Sequence, residues 1–174
     1  MQKLKWPVFA GLFIVIWIGV IFYFSSQPSV ESHEQSGQVV GLYEKANAIF
    51  DFSDSKFFNK IETIIFEHIL DNKYKTTDAK VRKSAHFGIY FILGIASTGF
   101  AYVYSKKWLI AVLLGISLPT TVAVLDEFNQ GMIDRTSSLN DVVLDMSGAT
   151  FGMLFGLILI KVIMIVYNNW KSTS

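Results

Sequence analysis

Residues 108–125 read WLIAVLLGISLPTTVAVL, an apolar run that contains no charged side chain. Its length is close to the ~20 residues that an α-helix needs to cross a hydrocarbon core of about 30 Å. Further apolar runs predict membrane spans at residues 6–24, 84–104 and 141–166. Aromatic residues lie near the ends of these runs, as in the interfacial belts of membrane helices. They include Trp6, Tyr23, Tyr104, Trp108, Tyr167 and Trp170.

The overall composition also indicates a membrane protein. Of the 174 residues, 52% are hydrophobic and 17% are charged, and the mean hydropathy is +0.42. A soluble domain carries about 25% charged residues. The net charge of +1 argues against a nucleic-acid partner, and the absence of cysteine excludes disulfides and thiolate chemistry. We therefore expect residues 1–174 to form one membrane domain, a four-helix bundle of the all-α class.

The long segment between the first two spans has a pattern of its own. Apolar residues recur at helical spacing within residues 31–75, on both sides of a polar break at residues 51–55. This spacing predicts an amphipathic helical insertion that packs against the membrane surface or covers the bundle from outside.

Basic residues in the short flanks predict the orientation. The residues that mark the cytoplasmic side are Lys3, Lys5, Lys106, Lys107 and Lys171. Together they place both termini in the cytoplasm of a multi-pass protein of the cell membrane. Lys80, Arg82 and Lys83 lie directly before the second span and oppose this assignment.

Three polar groups reach the same side of the membrane if the spans are counted in order. Ser26 and Gln27 follow the first span. Arg82, His86 and Tyr90 enter the second span at positions i, i+4 and i+8, on one helical stripe. The third group joins the last two spans and comprises Asp126, Glu127, Gln130, Arg135, Asp141 and Asp145. Ionisable groups at the mouths of membrane helices are costly to desolvate, so this end is the predicted functional site.

A glycine ridge follows the third group. Gly148, Gly152 and Gly156 repeat every four residues in the last span. Small residues at this spacing let another helix approach closely. We therefore expect a tight helix pair beneath the polar cluster.

Several chemistries fit this cluster, and the residues alone leave them open. Arginine beside carboxylates and histidine can bind a phosphate or carboxylate group, and carboxylates can hold a divalent cation. The candidates for acid–base catalysis are His86, Asp126 and Glu127. The structural alternative is an ion-pair network that joins Arg82 and Arg135 to the four acidic residues. No nucleophile signature or metal motif with diagnostic spacing occurs, so no cofactor or metal is predicted, and a divalent cation at the acidic cluster stays an open alternative.

The polar elements also resemble those of the VanZ-like family of bacterial membrane proteins, over nearly the whole chain. Ser25-Ser26-Gln27 is similar to the family's first element, and Arg82-Lys83-x-x-His86-Phe87-x-x-Tyr90 is similar to its second. Asp126-Glu127-x-x-Gln130, followed by Arg135, Asp141 and Gly148, resembles its third. Many members carry Asn where this chain has Asp145.

This resemblance implies a phenotype rather than a reaction. VanZ-like proteins are typical of Gram-positive bacteria and are associated with low-level resistance to teicoplanin. We accordingly expect a cell-envelope protein whose extracytoplasmic pocket binds a lipid or lipid-linked cell-wall precursor headgroup. The competing hypotheses are a membrane-embedded hydrolase of lipid-linked phosphates and an assembly protein in which the cluster is purely structural.

Overall fold

The computed structural model of the protein describes residues 5–26, 77–132 and 138–173. These ranges contain α-helices and no strand, which confirms the all-α class for this part of the chain. The four helices are α1 (Lys5–Ser25), α2 (Thr77–Ser105), α3 (Trp108–Gly131) and α4 (Leu139–Thr173). The predicted insertion at residues 31–75 falls outside the described residues.

Each helix contains a segment long and apolar enough to cross a membrane, which confirms the four predicted spans. Three helices run several residues further than the apolar runs predict, and α2 begins at Thr77 rather than at residue 84. Helix α3 continues beyond residue 125 to Gly131, because its last polar residues are buried against other helices. Helix α4 has 35 residues, or about 52 Å at 1.5 Å per residue, and is longer than a hydrocarbon core is thick.

Helices α2 and α4 pack closely and run in the same direction. A Cβ atom at Gly148 would collide with the backbone of Phe87, and one at Gly152 would collide with that of Phe91. Because the contacts advance by four residues on both helices together, the two helices are parallel. Because glycine has no Cβ atom, the backbones of α2 and α4 can approach this closely. The predicted glycine ridge is therefore confirmed.

The other two helices run antiparallel to α2. Trp17 of α1 donates a hydrogen bond from Nε1 to the carbonyl oxygen of Ile89, at 3.1 Å. A short turn joins α2 to α3, and Lys106 adopts a left-handed conformation there, with φ of 57°. Such a residue ends a helix and reverses the chain. The core between the helices consists of Ile14, Ile21, Tyr90, Leu93, Val122, Ala123 and Ala149.

Candidate functional site

The polar ends of the four helices meet at one end of the bundle. Lys83 of α2 forms an ion pair with Asp141 of α4, and the two side chains are 6% and 13% exposed. Asn129 of α3 donates a hydrogen bond to the hydroxyl of Ser26, which follows α1, at 3.2 Å. The convergence predicted from the order of the spans is therefore confirmed for the described residues.

His86 faces two buried carboxylates. Its Nδ1 atom lies 3.5 Å from Oδ1 of Asp145, a side chain that is 0% exposed. Asp126 of α3 is buried beside them. One potential ligand atom from each of His86, Asp126 and Asp145 lies within 4.8 Å of the others. We call these three residues the His–Asp–Asp triplet.

Polar neighbours surround the Asp126 side of the triplet. Gln130, one turn further along α3, donates a hydrogen bond from Nε2 to Oδ2 of Asp126 at 3.1 Å. The buried side chains of Tyr90 in α2 and Ser25 in α1 lie close to this carboxylate. Three helices therefore enclose one buried acid.

Glu127 connects the end of α3 to the beginning of α4. Its Oε2 atom accepts a hydrogen bond from the backbone N–H of Ser138, at 2.9 Å. Ser138 directly precedes α4, so the carboxylate satisfies one of the amide groups that a helix start leaves unpaired. The other oxygen, Oε1, is buried and accepts no hydrogen bond from the described residues.

Acidic groups outnumber basic ones among the described side chains at this end. Four carboxylates converge there, whereas the basic side chains described beside them are Lys83 and His86. The acidic residues are Asp126, Glu127, Asp141 and Asp145. Charges removed from water require counter-charges or hydrogen bonds. The cluster can therefore accept donors such as ammonium and hydroxyl groups, or a cation, while Lys83 and His86 can donate to an oxyanion.

Other predicted site residues lie at the edge of this geometry or outside the described residues. Ser26 is exposed, and its hydroxyl donates to the carbonyl oxygen of Phe22 at 2.7 Å. Gln27, Arg135 and the side chain of Arg82 are outside the described part of the chain, so their predicted roles stay predictions.

Lys83 is a buried member of the site that the predicted stripe of Arg82, His86 and Tyr90 does not include. Ser25, which belongs to the first polar element of the sequence, is buried as well. The stripe was built from Arg82 in steps of four. A stripe of Lys83, His86, Tyr90 and Leu93, which advances in steps of three and four residues, contains Lys83 instead. Both choices satisfy helical periodicity, which is why the pattern did not separate them.

The cavity at the other end of the bundle has a different character. It has a volume of about 560 Å³ and lies between the start of α3 and the C-terminal half of α4. Trp108, Ile158 and Ile165 line it, and Lys161 is its one charged lining residue. An apolar hollow on the outside of membrane helices suits acyl chains, and we assign it no further role.

Four apolar helices and a buried charged cluster at their converging ends define a multi-pass helical membrane protein with a polar site at one end of the bundle. The model of the VanZ/LLP1 family matches residues 10–162 of the chain. The protein therefore belongs to the VanZ/LLP1 family, and the predicted resemblance is confirmed. No curated protein and no solved structure matches the chain.

Proposed function

We propose that this protein is a bacterial cell-envelope protein that binds the polar headgroup of a lipid or lipid-linked cell-wall precursor at its charged cluster. The observation that carries the proposal is the buried ion pair between Lys83 and Asp141, which lies at the same end of the bundle as the triplet. A membrane protein keeps ionisable groups at membrane depth mainly where they serve a substrate or ion.

The arrangement of charges suits a headgroup with both anionic and hydroxyl or ammonium groups. Lys83 and His86 are the donors that face a phosphate oxygen in this proposal. The carboxylates of Asp126 and Asp145 are acceptors for hydroxyl or ammonium groups. The apolar flanks of α2 and α4 continue from the cluster into the membrane, where acyl or prenyl chains reside.

Lipid retention by the purified protein tests this proposal. The full chain, in nanodiscs, is offered phosphatidylglycerol, phosphatidylethanolamine and undecaprenyl phosphate, and the retained lipid is identified by native mass spectrometry. We expect one lipid class to be enriched in the wild type. Loss of a charged hydrogen bond is worth about 1.5–3 kcal/mol, so Lys83→Gln should weaken retention roughly tenfold or more.

Lys107→Gln is the matched control, because Lys107 is exposed and lies in the turn between α2 and α3, at the other end of the bundle. It should retain lipid as the wild type does. Equal retention by wild type and Lys83→Gln, with both proteins folded, would remove the headgroup proposal.

The same proposal extends to teicoplanin, which carries an acyl chain and acts near the outer membrane surface. A protein that occupies lipid-linked precursors or changes that surface should raise the concentration of teicoplanin needed to stop growth. We expect overexpression of the wild type, but not of Asp126→Asn at equal membrane levels, to lower sensitivity. Unchanged sensitivity with wild-type protein would break the link to the drug.

The pairing of His86 with Asp145 favours one second candidate, a hydrolase of lipid-linked phosphates. A carboxylate that orients an imidazole is the arrangement that acid–base catalysis requires. In this candidate Asp145, whose Oδ1 atom lies 3.5 Å from Nδ1 of His86, would be the orienting carboxylate. Phosphate release from undecaprenyl pyrophosphate by the wild type, and its loss in His86→Gln, would replace binding by catalysis.

A further inference from the structure

We propose that the His–Asp–Asp triplet of His86, Asp126 and Asp145 is a binding site for a divalent transition-metal cation of the Zn²⁺ type. The headgroup proposal uses the same three side chains, so a bound cation would replace their contacts to phosphate, hydroxyl or ammonium groups. Metal content is measured without any lipid, which keeps the two tests distinguishable.

The distances within the triplet suit a single cation. In tetrahedral coordination, two ligand atoms that are each about 2.0–2.2 Å from zinc lie roughly 3.4 Å apart. The candidate ligand atoms lie within 4.8 Å of one another. Side-chain movements of about 1 Å would therefore bring all three onto one ion.

Asp145 provides the second observation that points to a cation. Its side chain is completely buried, and its Oδ2 atom accepts no hydrogen bond from the described residues. The separation of 3.5 Å between its Oδ1 atom and Nδ1 of His86 exceeds the usual 2.7–3.2 Å of an N–H···O hydrogen bond. The imidazole alone thus leaves this carboxylate poorly satisfied.

The charge balance at the triplet also favours a divalent ion. Two buried carboxylates from α3 and α4 lie together there. Lys83, the neighbouring cation, is engaged by Asp141. Among the described residues, His86 is the one basic side chain that pairs with either carboxylate. A divalent ion would supply two positive charges in a place where an uncompensated charge is expensive.

The ligand types indicate which cation fits. One imidazole nitrogen with two carboxylates suits Zn²⁺ or Mn²⁺, whereas Ca²⁺ and Mg²⁺ prefer ligand sets made only of oxygen. Gln130 would act as an outer-shell partner, since its hydrogen bond at 3.1 Å orients the carboxylate of Asp126. Three protein ligands leave at least one position for water or for an oxygen of a bound headgroup.

Metal titration of the full chain tests the site. Protein purified in detergent and freed of metal with chelator is mixed with zinc, manganese or calcium chloride, and bound metal is counted by mass spectrometry after dialysis. We expect one zinc per chain and at least tenfold weaker binding of calcium. Asp145→Asn and Asp126→Asn should each lower zinc affinity at least tenfold.

Glu127→Gln is the matched control. Glu127 is an equally buried acid at the end of α3 but is not part of the triplet, and the glutamine oxygen can still accept from Ser138. It should bind one zinc per chain. If Glu127→Gln loses as much zinc affinity as Asp126→Asn and Asp145→Asn, the acidic groups attract zinc without a defined site. That result would overturn the assignment to three residues.

His86→Gln guards against misfolding of the aspartate variants, because His86 is partly exposed. The visible spectrum of Co²⁺ bound to the wild type should change when His86 is replaced, since a nitrogen ligand is lost. A wild-type protein that retains no zinc above the buffer level, or a Co²⁺ spectrum unchanged in His86→Gln, would refute the metal site.

Discussion

Lys83 of α2 and Asp141 of α4 form an ion pair that is almost shielded from solvent. Removal of one partner from a buried pair leaves the other charge uncompensated, which costs roughly 3–5 kcal/mol. We therefore expect Lys83→Met to lower the free energy of unfolding by about that amount. Unfolding in mixed detergent micelles measures it.

The double variant Lys83→Met with Asp141→Asn is the control for this prediction. Both charges are then absent, and part of the lost stability should return. If the loss in the double variant equals the sum of the losses in Lys83→Met and Asp141→Asn alone, the two side chains do not stabilise each other.

The close approach of α2 and α4 predicts a sharp difference between glycines. Gly148→Ala places a methyl group against the backbone of Phe87, and backbone cannot move aside cheaply. We expect a loss of about 1–3 kcal/mol in unfolding free energy, measured in the same micelles.

Gly88→Ala is the control, because nothing lies within 4 Å of its added Cβ. Alanine is the better helix former, so this variant should equal or slightly exceed the wild type in stability. Equal effects of both substitutions would contradict the packing described for α4.

The hydrogen bond from Ser138 to Glu127 predicts that the carboxylate stabilises the start of α4. Glu127→Ala should cost about 0.5–2 kcal/mol, the range for loss of a helix N-cap. Glu127→Gln keeps an oxygen acceptor and should cost less. Thermal melting in detergent compares the two variants, and identical melting temperatures would argue against this capping role.

The basic residues in the flanks predict that the C-terminus is cytoplasmic. A reporter fused after Ser174 should give the cytoplasmic signal, and a reporter inserted within residues 31–75 should give the external one. The reversed pair of signals would place the charged cluster on the cytoplasmic side and remove its access to external drugs.

Much of the fold follows from local patterns. Apolar runs long enough to cross a bilayer predicted the four spans, because burial in hydrocarbon demands continuous apolar helix. The order of the spans predicted that Ser26, His86, Asp126 and Asp145 share one end of the bundle. The spacing of Gly148 and Gly152 predicted a close helix contact. The orientation of the chain and the segment at residues 31–75 stay predictions.

The partners inside the site did not follow from the sequence. Periodicity gives the residues that share a helix face, but not the rotation of that face toward a neighbour. The rotation of α2 about its axis turns Lys83 toward Asp141. The same rotation brings His86 close to Asp145. Rotation of α1 buries Ser25 and leaves Ser26 exposed.

The sequence by itself therefore determined the number and order of the spans and the end of the bundle that carries the charges. Hydrophobic length and span order are properties of the chain alone. The tertiary structure decided which charges pair and which three ligand atoms lie together. These pairings depend on how each helix is rotated about its axis and shifted along it. Close packing at Gly148 and Gly152 fixes the rotation and the shift of α2 relative to α4.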